Sequence, residues 1–337
     1  MRPSTLDPRP MNDSPVRLDL HIDPDAPRRE LEQLRHGLLQ EPPRVSSRYF
    51  YDAHGSELFE RITELEVYYQ TRTERRLLQR HAGSIVERTG ASQLIELGSG
   101  AATKTRVLLD AMRDQGSLHR YVPLDVSESM VRRTAEELVA EYPGLEVHGI
   151  VGNFLEHLGE LPTDGRSLAV FLGGTIGNLR PEDEAVEFLT ALGSELGAGG
   201  WLLLGTDLIK DAETLHRAYN DPQGVTAAFN LNLLTVLNRR FGADFDLSQW
   251  SHRAVWSSEA QRIEMHLVAS RPLEVFVAAL DLRIRFAEGD HLLTEISTKF
   301  DRPKVDRLLE SSCFEIDQWY TDERDLFGLA LARCVAR

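Results

Sequence analysis

The sequence predicts an α/β protein: a Rossmann-like sheet of seven strands, with a second α+β lobe set into it. Three features carry that reading. Between residues 93 and 206, short apolar runs alternate with helical patterns, the rhythm of a parallel sheet joined by helical crossovers. Residues 94–106, LIELGSGAATKTR, pass from an apolar run through a small-residue turn into a helical pattern. That is the strand, tight turn and helix start from which α/β proteins build nucleotide pockets. After Asp207 the rhythm changes, and the end of the chain reads as a hairpin that completes the sheet.

In chain order, residues 1–27 are rich in Pro, Asp and Arg and are expected to be poorly ordered. Residues 28–40 read as an amphipathic helix stopped by Pro42-Pro43. Residues 46–69 gather aromatics, and 73–89 read as a helix leading into the α/β unit. Strands are expected at 93–97, 121–125, 145–151, 167–173 and 201–206, with helices at 103–113, 128–141 and 182–196. Residues 211–241 read as helices. Residues 252–298 read as several strands, with alternation in RIEMHLVA and VAALDLRIRF. A helix at 304–312 and strands at 314–320 and 327–335 close the chain. The expected division is a tail, 1–27; a sheet domain, 73–207 plus 300–337; and a lobe, 28–72 plus 208–299.

A net charge of −15 argues against nucleic acid and anionic membrane as partners. No stretch of about 18 apolar residues suggests a membrane span, and the N-terminus lacks a signal-peptide pattern. The two cysteines, Cys313 and Cys334, are isolated and lack metal-ligand spacing, so a reducing cytoplasm and no metal are expected. The expected partner is a small molecule, with a monomer as the expected state.

Three pockets use a glycine turn like this one. A dinucleotide fingerprint wants a small residue where Thr103 stands. A phosphate loop matches Gly98 to Thr105 except that Thr103 replaces the glycine before Lys104, a backbone geometry threonine resists. The remaining pattern, acidic-x-Gly-x-Gly in Glu96-Leu-Gly98-Ser-Gly100, resembles motif I of class I S-adenosylmethionine (SAM) methyltransferases.

Further candidates follow along the sheet's carboxyl edge, where open α/β folds bind ligands. Asp125 ends the second strand and can accept from both ribose hydroxyls; its plainer reading is the approach to the next helix. Asn153, where such enzymes often carry an acid, can accept from an adenine amino group, with Phe154 packed on the ring, or can simply close a turn. Lys104 is either a solvated helix cation or a partner for the SAM carboxylate. Phe171-Leu-Gly-Gly-Thr-Ile-Gly-Asn178 ends the fourth strand, and Asn178 stands where methyltransferases receive the acceptor nitrogen. Glu295 and Ser297 share one face of a strand. A carboxylate beside a hydroxyl suits the two nitrogens of an imidazole, and a polar solvent face is the alternative.

Taken in order, RYFYDAHGSELFERITELEVYYQTRTE, ELGSGAATKTR, FLGGTIGNL, LLLGTDLIKD, AYNDPQGVTAAFN, RIEMHL and LLTEISTKF closely resemble the bacterial histidine Nα-methyltransferases that begin ergothioneine biosynthesis. The resemblance covers about residues 45–335. It implies SAM-dependent Nα-trimethylation of L-histidine to the betaine hercynine, with S-adenosylhomocysteine as co-product. It places the SAM site on Gly98, Lys104, Asp125, Asn153, Phe154 and the Gly173-Gly174 turn. It places the amino-acid site on Tyr51, Phe59, Tyr68, Asn178, Tyr219, Met265, Glu295 and Ser297. Within that set, Tyr68 and Tyr219 would hold the carboxylate, and Asn178 and Tyr51 would sit at the amine as the catalytic pair. Glu295 and Ser297 would bind the imidazole, with Met265 lining its pocket. Asn153 in place of Asp, and Gln70 in place of a proline, depart from the family pattern. Two other readings stay open: an N-methyltransferase of another aromatic amino acid or small amine, and a SAM-binding module without catalysis. The spoiled phosphate loop leaves an ATPase weakest.

Overall fold

The computed structural model describes residues 14–21, 25–100, 102–162, 165–180 and 183–335. Six strands come before the lobe: β1 (Val16–Leu20), β2 (Gln93–Leu97), β3 (Arg120–Asp125), β4 (Glu146–Val151), β5 (Ser167–Phe171) and β6 (Trp201–Asp207). The lobe adds β7 (Trp250–Ser257), β8 (Arg262–Ala269), β9 (Leu273–Val277), β10 (Leu282–Phe286) and β11 (His291–Thr298). The chain ends with β12 (Phe314–Thr321) and β13 (Phe327–Cys334). The helices are α1 (Ala26–Leu38), α2 (Ala53–Glu64), α3 (Gln70–Thr89), α4 (Arg106–Asp114), α5 (Glu128–Glu141), α6 (Glu184–Leu196), α7 (Ala212–Tyr219), α8 (Val225–Phe241) and α9 (Arg302–Ser311).

The main sheet runs β1-β4-β3-β2-β5-β6-β13-β12. Strands β1 to β6 pair in parallel, and β13 and β12 close the far edge antiparallel. Its central strands are apolar on both faces because both faces are covered. Ile95 and Leu97 of β2 face a core with α6 and α9, whereas Leu94 faces a core with α3, α4 and α5. Strand order reverses between β2 and β5, so the crevice of an open α/β sheet opens at their carboxyl ends.

The sheet has eight strands rather than the expected seven, and the tail is the cause. Residues 14–21 are not disordered: β1 pairs with β4 from Val16↔Val147 to Leu20↔Val151, and His148 Nε2 lies 2.7 Å from Asp19 Oδ2. The segment VRLDL alternates as a strand does, but its Pro- and Asp-rich flanks hide that signal. Residues 1–13 and 22–24 of the expected tail lie outside the described residues. Cys313 and Cys334, expected to be isolated, are free thiols with their sulfurs 3.7 Å apart.

The lobe has its own core. Helix α8 packs against α2 and β7, and β7, β8 and β11 form an antiparallel sheet. The chain leaves the main sheet at Asp207 and returns at Phe300, where the two passes are bonded. Phe300 N donates to Asp207 O at 2.9 Å, and Ile209 N donates to Phe300 O at 2.8 Å.

Candidate active site at the junction of sheet and lobe

The nucleotide end is built from backbone. Gly98 and Gly100 follow β2 with φ of +73° and +48°, a region open to glycine, and a Cβ at either would meet nothing within 4 Å. The turn is therefore a cradle open on the ligand side, which fits a nucleoside. Asp125 braces it: Oδ2 accepts from Gly100 N at 2.9 Å and Oδ1 from Ser127 N at 3.0 Å. Each oxygen keeps a lone pair for a ribose hydroxyl. Behind the turn, the buried Glu96 accepts from Thr105 Oγ1 and Tyr121 Oη. Burial, against those two bonds, pushes its carboxyl up to about 7.

Lys104 has a fixed partner, Glu74 of α3, which is 0% exposed and which sequence reasoning did not single out. The other Glu74 oxygen accepts from Gly173 N at 2.7 Å, so one carboxylate ties the first glycine loop to the second. Gly173 and Gly174 follow β5 with φ of +79° and +70°. Asn153 closes a turn: its Oδ1 accepts from Leu155 N at 3.1 Å and its Nδ2 donates to Glu156 at 2.9 Å. Phe154 stacks edge-on to Phe171 and Phe188, at 5.3 and 5.5 Å between ring centres.

Asn178 ends a 3-10 helix, Thr175–Asn178, that packs on β11. Gly177 makes that approach possible, because a Cβ there would stand 2.6 Å from Thr298 O. The Asn178 amide is half-buried and has no side-chain partner among the described residues.

The lobe supplies the other wall. Glu295 pairs in register with Met265 across β11 and β8, so the two side chains are neighbours on one face. Met265 is buried, and the Glu295 carboxyl has no hydrogen-bond donor among the described residues. Burial pushes Glu295 up to about 7, with Lys299 pulling the other way. Ser297, two residues on, accepts from Tyr219 Oη at 2.9 Å. Tyr51, Phe59 and Tyr68 form an aromatic wall: Tyr51 meets Phe59 at 5.6 Å, and Phe59 meets Tyr68 at 6.4 Å. Phe229 of α8, absent from the sequence reading, joins that wall at 5.7 Å from Tyr51 and 5.9 Å from Phe59. Tyr51 is 42% exposed as a residue, but desolvation of its phenol against the aromatic wall, with Glu295, raises it; burial, with Tyr219, raises the Tyr68 phenol.

Beneath this wall lies a charged cluster that sequence reasoning missed. Asp207, 3% exposed at the end of β6, takes Lys299 Nζ at 2.8 Å, Lys210 Nζ at 2.6 Å and Tyr69 Oη at 2.9 Å. Burial alone would raise the Asp207 carboxyl, but the two ammoniums outweigh it and hold it below the ordinary range. Strand alternation places Lys299 on the face of Glu295 and Ser297, and that was the available signal. Among the described residues, no group of three or more His, Cys, Asp or Glu is placed to hold a metal ion, and no helix is long and apolar enough to cross a membrane.

This arrangement has known relatives. A histidine N-alpha-methyltransferase of Mycolicibacterium smegmatis is 49% identical over 299 residues, 89% of this chain and 93% of its own. One of Mycobacterium tuberculosis is 47% identical over 313 residues, 93% of this chain and 97% of its own. Ergothioneine biosynthesis protein 1 of Neurospora crassa is 30% identical across 87% of this chain, which matches 34% of that longer protein. The family described as histidine-specific methyltransferase, SAM-dependent, matches residues 30–334, from helix α1 through the last strand and thus both halves of the site. A family match across residues 30–334 and relatives 47–49% identical over about nine-tenths of the chain show that it belongs to the SAM-dependent histidine-specific methyltransferases.

Proposed function

We propose that this chain transfers three methyl groups from SAM to the α-amino nitrogen of L-histidine, giving hercynine as the first step of ergothioneine biosynthesis in the cytoplasm. The observation that carries the choice of amino acid is Glu295. A partly buried carboxylate with no donor, set between Met265 and Ser297, is a costly group until an N–H reaches it. An imidazole ring brings that N–H and offers its second nitrogen to Ser297. Gly98, Gly100, Asp125, Lys104 and Gly173 would hold the donor, and Asn153 and Phe154 would flank its base.

SAM supplies an electrophilic methyl on a sulfonium. The protein's task is to present an amine lone pair in line with it. An α-amino group is mostly protonated at neutral pH, so the site must favour proton loss. Asn178 Oδ1, free of other bonds, accepts one amine N–H and aims the lone pair. Tyr51 stays a neutral phenol, because desolvation by the neighbouring rings and the charge of Glu295 raise its pKa. Its oxygen therefore guides a proton to water rather than storing one. Most of the rate comes from holding the two reactants in line. Each round removes an N–H, and the final product bears a fixed positive charge, which the faces of Tyr51, Phe59 and Phe229 accept through cation–π contact.

Mass spectrometry of products from SAM and a panel of free amino acids tests the reading. Gains of one to three methyls on histidine alone support it. Methylation of another amino acid overturns the roles given to Glu295 and Ser297. SAM binding with no methylation of any amino acid overturns the catalytic reading.

A further inference from the structure

We propose that Lys299 is a positioning residue that makes Tyr219 and Ser297 obligate hydrogen-bond donors, and thereby selects substrates that carry an α-carboxylate. This rests on the amino-acid site described above. Lys299 is 0% exposed and cannot touch a substrate itself. An ammonium has three N–H groups and no acceptor. All three are spent, on Asp207 Oδ2 at 2.8 Å, Tyr219 Oη at 2.9 Å and Ser297 Oγ at 2.8 Å. Each hydroxyl oxygen thus receives an N–H from behind, which turns its own hydrogen away from the lysine.

The two hydroxyls also touch each other, at 2.9 Å. Only one hydrogen fits between them, so the other must face the pocket. When an imidazole nitrogen takes the Ser297 hydrogen, the Tyr219 hydrogen is the one left for a carboxylate. Donation from a cation strengthens both O–H groups as donors, because bonds in a chain polarise one another in a low-dielectric site. A Tyr219 O–H backed by a buried positive charge is a receptor for an anion. The α-carboxylate is the anion that a free amino acid has and its decarboxylated amine lacks.

Other charged groups bear on Lys299 without replacing this role. Lys210 and Tyr69 share Asp207 with it, and they bond each other at 2.7 Å. Glu295 faces Lys299, but no hydrogen bond joins them among the described residues. Lys304 reaches the Lys299 backbone oxygen at 3.3 Å, not its ammonium.

The test is calorimetric binding of L-histidine and of histamine to the full chain loaded with S-adenosylhomocysteine, in wild type and in Lys299→Met. Both ligands lose the support of Ser297 under the imidazole, but only L-histidine also loses the charge-assisted Tyr219 contact, so its binding should weaken about 10-fold more than that of histamine. Affinity for S-adenosylhomocysteine should hold. Equal weakening of both ligands overturns the proposal, because it marks a merely structural lysine. Unchanged histidine binding overturns it as well. Tyr219→Phe supplies a second arm: in that background Lys299→Met should cost histidine little more, and a full additional loss is contrary. If Lys299→Met does not fold, Lys299→Gln keeps much of the volume and two N–H donors without the charge, and the same histidine-to-histamine ratio decides. Wild type that binds histidine no better than other amino acids would instead undo the functional reading on which this rests.

Discussion

The ends of the site proposed here for the methyl donor and for the acceptor are built in opposite ways. The donor end is local and made largely of backbone: two glycine turns at neighbouring strand ends, one braced by Asp125 and both joined through Glu74 and Lys104. The acceptor end is assembled from side chains of distant segments, residues 51–68, 178, 219–229, 265 and 295–299, over buried charges. In the proposed reading a nucleoside meets a surface that the strand ends and glycine turns already provide. An amino acid would meet groups that are costly to bury, and these need a second core to hold them. The two ends should therefore fail separately.

The largest effect is expected at the point where they meet. Asn178→Ala should lower turnover by about 10²–10³-fold, the range seen when one positioned group is lost from a reacting centre. Isothermal titration should show S-adenosylhomocysteine binding intact, and near-normal turnover would remove Asn178 from the chemistry. Asp125→Ala should weaken S-adenosylhomocysteine by about 10- to 100-fold, since it loses charge-assisted bonds to ribose. It should leave histidine affinity within about 3-fold once the site is saturated. A parallel loss of both would erase the distinction between the ends.

Gly177→Ala sharpens the comparison, because it strikes the seam between them. Its Cβ would press on Thr298 O and force the 3-10 helix off β11. A cost of about 1–3 kcal/mol in unfolding free energy is expected from such overpacking. Chemical denaturation should read it, together with a fall in turnover larger than the change in either binding constant. Wild-type stability would show that the seam is soft.

The smallest effect is a pH dependence. The Glu295 carboxyl stands at about 7 in the fold against an ordinary value of 4.5, so the folded state holds its proton more tightly. Stability is therefore lost as pH rises from about 4.5 to 7, and the loss is complete above that. Glu295→Gln abolishes the titration. The ligand-free variant should gain on the parent through this window, by about 1–3 °C in Tm at pH 8 relative to pH 5. A difference that does not change with pH would mean that Glu295 is well solvated.

The same contrast explains what the sequence revealed. Strands β2 to β6 and their helices were legible because apolar period and glycine turns are local signals, and the motif at Glu96–Gly100 lies within a few residues. The β1 strand was not, because five alternating residues between prolines carry little weight until β4 is there to pair with them. Glu295 and Ser297 were legible as a strand pair, but their state was not. Glu295's missing donor and Ser297's bond to Tyr219 depend on residues far along the chain. Glu74, Asp207, Lys210 and Phe229 drew no notice for the same reason: a buried ion pair such as Asp207 with Lys299 joins residues with no common pattern. Lys299 was missed as well, although alternation from Glu295 puts it on the pocket face.

The bonded crossing at Asp207, Ile209 and Phe300 gives this division a mechanical meaning. To the main sheet, residues 210–299 are one long loop whose two ends are pinned side by side. Closure entropy grows only slowly with loop length, so the sheet is nearly indifferent to what the loop contains. The pin works as a socket. Any acceptor module that leaves and returns through it inherits a finished methyl-donor half. Because Asp207 is one side of the socket, such a module is anchored electrically as well as by backbone, and a transplanted lobe without a lysine at position 299 would seat a buried carboxylate short of one of its two cations.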